Sequence, residues 1–249
     1  MVLSFVVPAF NEEAYLADCI ESILRETRGL EDLTEIIVVN NNSCDGTRDV
    51  ALSYPRVQLV DEPRKGLTFA RQAGFLASTG TLIANVDADS RLTPGWAHHV
   101  LSTFEAAPAL VALSGPLVYY DLNSRQRSLV QVFYFVAWTT YAINRYILRV
   151  GSMVQGGNFV VSRAALEQIG GFNLDISFYG EDTDIARRLH DVGDVLFTLD
   201  LKMLSSARRL KHEGILRMAA RYSINYFWTI FFKLPYTKKH IDIREGSEV

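Results

Sequence analysis

The chain has 249 residues, 49% of them hydrophobic and 21% charged, which suits one large α/β domain or two small ones and excludes a disordered or low-complexity protein. Its two cysteines, Cys19 and Cys44, lack a Cys-x-x-Cys spacing and read as two thiols in a reducing compartment. The net charge of −3 conceals an asymmetry: residues 1–200 carry nine more acidic than basic side chains, and residues 201–249 six more basic than acidic.

The first residues, Met1 to Pro8, have no basic leader segment, and Pro8 interrupts their apolar run; a cytoplasmic protein is expected. Apolar strands and amphipathic helices then alternate. Leu3–Val7 reads as a buried strand, Glu12–Arg28 as a helix, Glu35–Val39 as a strand, and Thr47–Ser53 as a helix. Val57–Val60 is a strand, Leu67–Ser78 a helix and Leu82–Val86 a strand. This rhythm predicts an α/β fold with a mostly parallel sheet flanked by helices. The second half is less regular. Leu110–Val118 reads as a strand, Leu129–Leu148 as a buried or interfacial helix, and Asn158–Ser162 as a strand. Short helices follow over Arg163–Ile169 and Thr183–Asp191, and a last helix from about Glu213 to Lys233. The predicted organisation is one domain over 1–212, its nucleotide-binding half at about 1–90 and its acceptor-side half at about 91–212. Residues 213–249 form a helical, aromatic and basic extension.

In parallel sheets, ligands sit beyond the carboxyl ends of the strands. Polar residues follow these ends here: Asn11 and Glu12, then Asn40-Asn41-Asn42, then Asp87-Ala88-Asp89. Two carboxylates two apart at a strand end can aim at one hard cation such as Mg²⁺ or Mn²⁺ and leave positions for diphosphate oxygens. A solvated turn is the competing reading of that pair. Gly180-Glu181-Asp182-Thr183-Asp184 crowds three carboxylates at a helix start, more than capping needs, so that one can serve as a general base. Asn40 to Thr47 offers amides that could read a base edge or a ribose, with Asp45 as an N-cap. Lys65-Gly66 with Arg71 forms a basic turn suited to phosphate, with surface salt pairing as the alternative.

Taken in order, these motifs resemble a family 2 glycosyltransferase of the GT-A fold. Val6 to Glu13 resembles the family's first strand and turn, Val38 to Thr47 its second motif, and Lys65 to Gly74 its third. Gly156-Gly157-Asn158-Phe159 followed by Gly170-Gly171-Phe172 resembles its acceptor-side segment. The likeness covers roughly residues 3–200. It implies an inverting, metal-dependent transfer of sugar from a nucleotide-sugar donor to an acceptor hydroxyl. It implies Asp89 and Asp87 as metal ligands and Asp182 as the base, with Glu181 as runner-up. Pro8, Phe10, Asn11, Glu12, Asn41, Lys65, Arg71, Asp87 and Ala88 become the donor-binding set.

Three departures qualify the likeness. Asn40 and Asn41 stand where the family often has paired aspartates, which leaves the donor base open between uridine and guanosine. The Gln-x-x-Arg-Trp motif of processive members is absent, which favours transfer of a single sugar. In its place stands Ser205 to Leu210, where Arg208 or Arg209 could meet the diphosphate and His212 a metal, or all three could simply be solvated. No unbroken 18-residue apolar span exists, which argues against an integral membrane form. A nucleotidyltransferase, or a non-catalytic nucleotide-sugar binder or regulator, is the competing functional class. The acidic, glycine-free turn at Pro8 to Glu13 counts against the former and Asp182 against the latter. The acceptor, glycan, lipid-linked or small molecule, has no signature; nucleic acid is not an expected partner. The aromatic and basic stretch 213–239 could meet the inner face of a membrane or pack as a buried helix or dimer face.

Overall fold

The computed structural model describes residues 1–142, 153–176, 178–232 and 237. Its strands are β1 (Leu3–Ala9), β2 (Thr34–Asn40), β3 (Val57–Asp61), β4 (Leu82–Val86), β5 (Ser90–Leu92), β6 (Leu110–Ser114), β7 (Leu117–Tyr119), β8 (Asn158–Ser162), β9 (Asp194–Phe197) and β10 (Met203–Ser205). Its helices are α1 (Leu16–Glu26), α2 (Thr47–Leu52), α3 (Leu67–Ala77), α4 (Trp96–Ala106), α5 (Ser124–Ala142), α6 (Arg163–Gln168), α7 (Glu181–His190), α8 (Arg208–Glu213) and α9 (Ile215–Phe232), with a 3₁₀ turn at Glu31–Leu33.

Seven strands form the main sheet in the order β3-β2-β1-β4-β8-β6-β9. The β3-β2-β1-β4 run is parallel, and β8 is antiparallel to both its neighbours. Both faces are buried, so β1 and β2 are apolar without alternation. Phe5, Val7, Ile36 and Val38 turn to one side, against Leu16, Ile20 and Ile23 of α1 and Trp96 of α4. Val6, Ile37 and Val39 turn to the other, against Ala70 and Phe75 of α3 and Ile185 and Leu189 of α7. Opposite faces at adjacent positions follow from the two-residue period of a strand.

The predicted strand Leu110–Val118 is two strands, β6 and β7. They part at Gly115-Pro116, where a side chain on Gly115 would fall 2.0 Å from the Leu201 carbonyl oxygen. The chain thus crosses to a small second sheet, β5-β10-β7, that sequence periodicity missed because its strands have only three residues each. The predicted last helix is α9; the short α8 before it was not predicted, and the two are separated at Gly214, whose φ of 87° breaks the helical path. The far ends of the predicted helices at Leu148 and Lys233 lie outside the described residues. Among the described residues no helix is long and apolar enough to cross a membrane.

Candidate active site

The loops after β1 and β2 are sewn to each other. Asn11 and Asn42 adopt left-handed backbone with φ of 51° and 63°, a conformation asparagine tolerates better than most residues. The Cys44 N–H donates to Asn11 Oδ1 at 2.9 Å, and the Asn11 N–H donates to Ser43 Oγ at 3.1 Å. The Glu12 N–H reaches Thr47 Oγ1 at 2.7 Å, and the Gly46 N–H reaches Glu13 Oε2 at 2.6 Å. Asp45 accepts from the Thr47 N–H at 3.0 Å and so satisfies a donor at the start of α2, where Gly46 occupies the cap position.

Asn41 is the knot of the next loop. Its amide donates to the carbonyls of Glu62 and Arg64 at 3.0 and 2.7 Å, and its Oδ1 accepts from the Gly66 N–H at 2.8 Å. Asn40 donates to Asp61 at 2.8 Å. Asn41 also borders the cavity described next, and these hydrogen bonds shape the loop. Beyond it, the Lys65 ammonium lies 4.0 Å from the centre of the Phe10 ring, a cation–π contact.

A cavity of about 760 Å³ opens beyond these loops. Of the expected site residues, Pro8, Phe10, Glu12, Asn41, Lys65, Arg71, Asp87, Ala88, Asp89, Glu181 and Asp182 line it. Asn11 is not among the lining residues; its side chain closes the turn by accepting from the Cys44 N–H. His212 is exposed on α8 and is likewise absent from the lining.

Two ion-pair groups organise the acidic part of the cavity. Arg71, fully buried on α3, pairs with Glu181 and lies 3.3 Å from Asp87. It was expected to hold phosphate; here its charge balances carboxylates from the end of β4 and the start of α7. Arg208 pairs with Glu12, lies 3.1 Å from Asp89 and sits over the Tyr15 ring at 4.8 Å. Sequence reasoning left Arg208 between ligand contact and solvent. No local pattern reports this pair, because its partners are nearly 200 residues apart.

Glu181 and Asp182 differ although adjacent. Burial pushes the Glu181 carboxyl up to about 7, against the opposing pull of Arg71. Asp182 is only half-buried, and burial raises its pKa as well. N–H groups of Thr183, at 2.8 Å, and of Gly156 work the other way. The glycines at 156 and 157 make room for these acids. A side chain on Gly157 would fall 2.2 Å from Asp87 Oδ2, and one on Gly156 would fall 3.2 Å from Glu181 Oε1.

Asp87 and Asp89 supply hard oxygen donors at the end of β4, and both line the cavity. Among the described residues no group of three or more His, Cys, Asp or Glu side chains is arranged to hold a metal. A pair of carboxylates fits an ion such as Mg²⁺ or Mn²⁺ that draws its other ligands from phosphate oxygens and water.

The opposite wall is apolar and aromatic, built by α5, α9 and β7. Val130, Phe133, Tyr134, Met218 and Tyr222 line it. The Tyr134 hydroxyl donates to Gln155 at 3.0 Å and accepts from the Leu117 N–H at 3.2 Å. On the outer side of α9, Leu216, Ile224 and Trp228 are exposed. The side chains of Tyr226, Phe227, Ile230, Phe231 and Phe232, and Lys233, Lys238 and Lys239, lie outside the described residues.

A doubly wound sheet carrying loop-held carboxylates at the end of its parallel strands is the architecture of the GT-A glycosyltransferases. Residues 4–170 match the family Glycosyl transferase family 2, and the chain belongs to that family. It is 23% identical to the glucosyl-dolichyl phosphate glucuronosyltransferase of Haloferax volcanii, over 98% of this chain and 78% of that protein. It is 37% identical to EpsJ, an uncharacterized glycosyltransferase of Bacillus subtilis, over 35% of this chain. The matched stretch spans only 26% of EpsJ. Among solved structures, it resembles the mannosyltransferase PcManGT of Pyrobaculum calidifontis, in complex with GDP-Man and Mn²⁺. The TM-score is 0.71 at 21% identity, covering 92% of this chain and 64% of that one. That likeness establishes the GT-A fold expected from the strand–helix rhythm.

Proposed function

We propose that the chain transfers a single sugar, with inversion, from a UDP- or GDP-sugar to an acceptor hydroxyl. The observation that carries this reading is the division of labour between two adjacent acids. Glu181 is held by Arg71, whereas Asp182 borders the cavity without an ion pair of its own among those described. Asp182 takes the proton of the acceptor hydroxyl. The acceptor oxygen forms its bond to the anomeric carbon from the face opposite the diphosphate. The electron pair of the broken carbon–oxygen bond leaves with the nucleoside diphosphate, so the anomeric configuration inverts.

Pro8, Phe10, Lys65 and Ala88 give the donor a surface at the strand ends. Glu12 orients Arg208, whose guanidinium lies beside Asp89 and can meet diphosphate oxygens. Asp89 and Asp87 would hold Mg²⁺ or Mn²⁺, which neutralises charge on the departing diphosphate when bound. The metal-bound, GDP-Man-bound relative supports a divalent ion and a nucleotide sugar. The organisation into a 1–212 transferase domain and a 213–249 extension belongs to the same reading, as does peripheral membrane contact through 213–239, which Leu216, Ile224 and Trp228 support.

Thermal shift with UDP- and GDP-sugars, with and without Mn²⁺, tests the donor side, because a ligand of the folded state raises the melting temperature. Stabilisation by one base family only with metal is expected, followed by release of nucleoside diphosphate and no pyrophosphate once an acceptor is supplied. Release of pyrophosphate would instead identify a nucleotidyltransferase.

A further inference from the structure

The two carboxylates at the end of β4 each have an arginine beside them, and the two arginines differ in freedom. Arg71 lies 3.3 Å from Asp87, is 1% exposed and also pairs with Glu181. Arg208, at the start of α8, is 22% exposed. Its Nε lies 3.1 Å from Asp89 Oδ2, its Nη2 pairs with Glu12, and its guanidinium sits over the Tyr15 ring at 4.8 Å. Swinging away from Asp89 would therefore still leave Arg208 a buried carboxylate and an aromatic face as partners. Burial, and then the charges of Asp89, Asp87 and Glu12, push the Cys19 thiol upward, so the three acids share one neighbourhood.

A guanidinium stays protonated at any pH the fold meets, so proton loss cannot release Arg208 from Asp89. Only a competing cation or a better anion can. A divalent ion at Asp89 would stand beside the guanidinium, and two cations on one carboxylate repel each other strongly in a partly desolvated site. A diphosphate supplies oxygens that accept from the guanidinium and relieve that repulsion.

We infer that Arg208 and the divalent ion compete for Asp89, and that the nucleoside diphosphate ends the competition by drawing Arg208 onto its own oxygens. Glu12 and Tyr15 keep the guanidinium within reach during the exchange. Metal alone is then held weakly, and metal together with nucleotide tightly. By linkage, each strengthens the binding of the other by the same factor. This rests on the reading of Asp89 and Asp87 as metal ligands and adds to it a residue that opposes metal binding until the donor arrives.

The test is Mn²⁺ binding to the full chain without nucleotide, read from the paramagnetic resonance signal of free Mn²⁺, in the unmodified protein, Arg208→Gln, Arg208→Lys and Asp89→Ala. Arg208→Gln should bind Mn²⁺ about tenfold or more tighter than the unmodified chain, the scale of one like charge removed from beside the ion. Arg208→Lys, which keeps the charge, should stay near the unmodified chain. In calorimetric titrations of UDP and GDP, the factor by which Mn²⁺ strengthens nucleotide binding should shrink in Arg208→Gln by at least the same amount. Thermal unfolding gives a second reading. Arg208→Gln should melt below the unmodified chain without metal, and Mn²⁺ should raise its melting temperature more. Mn²⁺ affinity that is unchanged or lower in Arg208→Gln, but lost in Asp89→Ala, would overturn the inference and leave the metal ligands standing. Mn²⁺ binding that survives undiminished in Asp89→Ala, or that no protein shows with or without nucleotide, would overturn the metal reading itself and this inference with it.

Discussion

The two sides of the cavity are built on opposite principles. On the strand-end side, the motif residues are joined mostly to one another: Asn11 to Cys44, Asn41 to the Glu62–Gly66 loop, Glu13 and Asp45 to the start of α2. On the helical side, the described residues of α5 and α9 present mostly apolar and aromatic side chains to the cavity. The contrast teaches that a motif can encode the shape of a loop and not the contacts of a ligand. The strand-end loops form one hydrogen-bonded frame, which suits the proposed donor side. The helical wall, apolar and aromatic, suits the proposed acceptor side.

Breaking the functional asymmetry between Glu181 and Asp182 has the largest expected effect. Asp182→Asn should lower kcat by roughly a hundred- to ten-thousand-fold, the range of a lost general base. Glu181→Gln should leave far more activity, because its neighbour keeps the base. Steady-state kinetics on the two variants decide between them, and equal losses would remove the distinction.

The next effect in size is on stability. Arg71→Met leaves Glu181 and Asp87 without their buried counter-ion. It should destabilise the fold by about 3–5 kcal/mol, read by urea denaturation. Loss of a phosphate contact alone, the role expected from sequence, would cost the ligand-free fold little. Asn41→Asp replaces the donor to two carbonyls by an acceptor and should cost about 1–3 kcal/mol in the same measurement.

The smallest effect is on the pH profile. The Glu181 pKa rises on folding from 4.5 to about 7 because burial outweighs the pull of Arg71. The folded state therefore holds a proton that the unfolded chain releases. This contribution is full below about 4.5 and is lost as the pH rises through about 7. Melting temperature should decline across that window, and Glu181→Gln should flatten the decline. Activity responds in the opposite direction. Asp182 must be ionised to accept a proton, so kcat/KM should fall on acidification, with its limb above the usual carboxylate range.

Much of this was legible in the sequence for a physical reason. Leu82–Val86 is a short, wholly buried strand and Asn158–Ser162 is buried up to Ser162, and the carboxylates and asparagines at the strand ends follow from the geometry of parallel sheets. The strand-end and acidic residues that line the cavity were therefore nameable, whereas its apolar, aromatic wall was not. Nor were the partners of those acids. Arg208 reaches Glu12 and Asp89 from the far end of the chain, and Arg71 is turned inward by α3, facts that periodicity does not carry. The three-stranded sheet was missed because three residues are too few to establish alternation. The loop-organising bonds of Asn11 and Asn41 were not legible, because an amide that organises a loop has the same sequence as one that reads a ligand.

The central claim is that the carboxylates at the end of β4 serve the donor, whereas Asp182 on α7 serves the acceptor. Calorimetric titration of nucleoside diphosphate, with and without Mn²⁺, into the unmodified chain, Asp89→Ala and Asp182→Asn tests it most directly. The account predicts that metal-dependent binding is lost in Asp89→Ala and kept in Asp182→Asn. Loss in Asp182→Asn, or undiminished metal-dependent binding in Asp89→Ala, would contradict it.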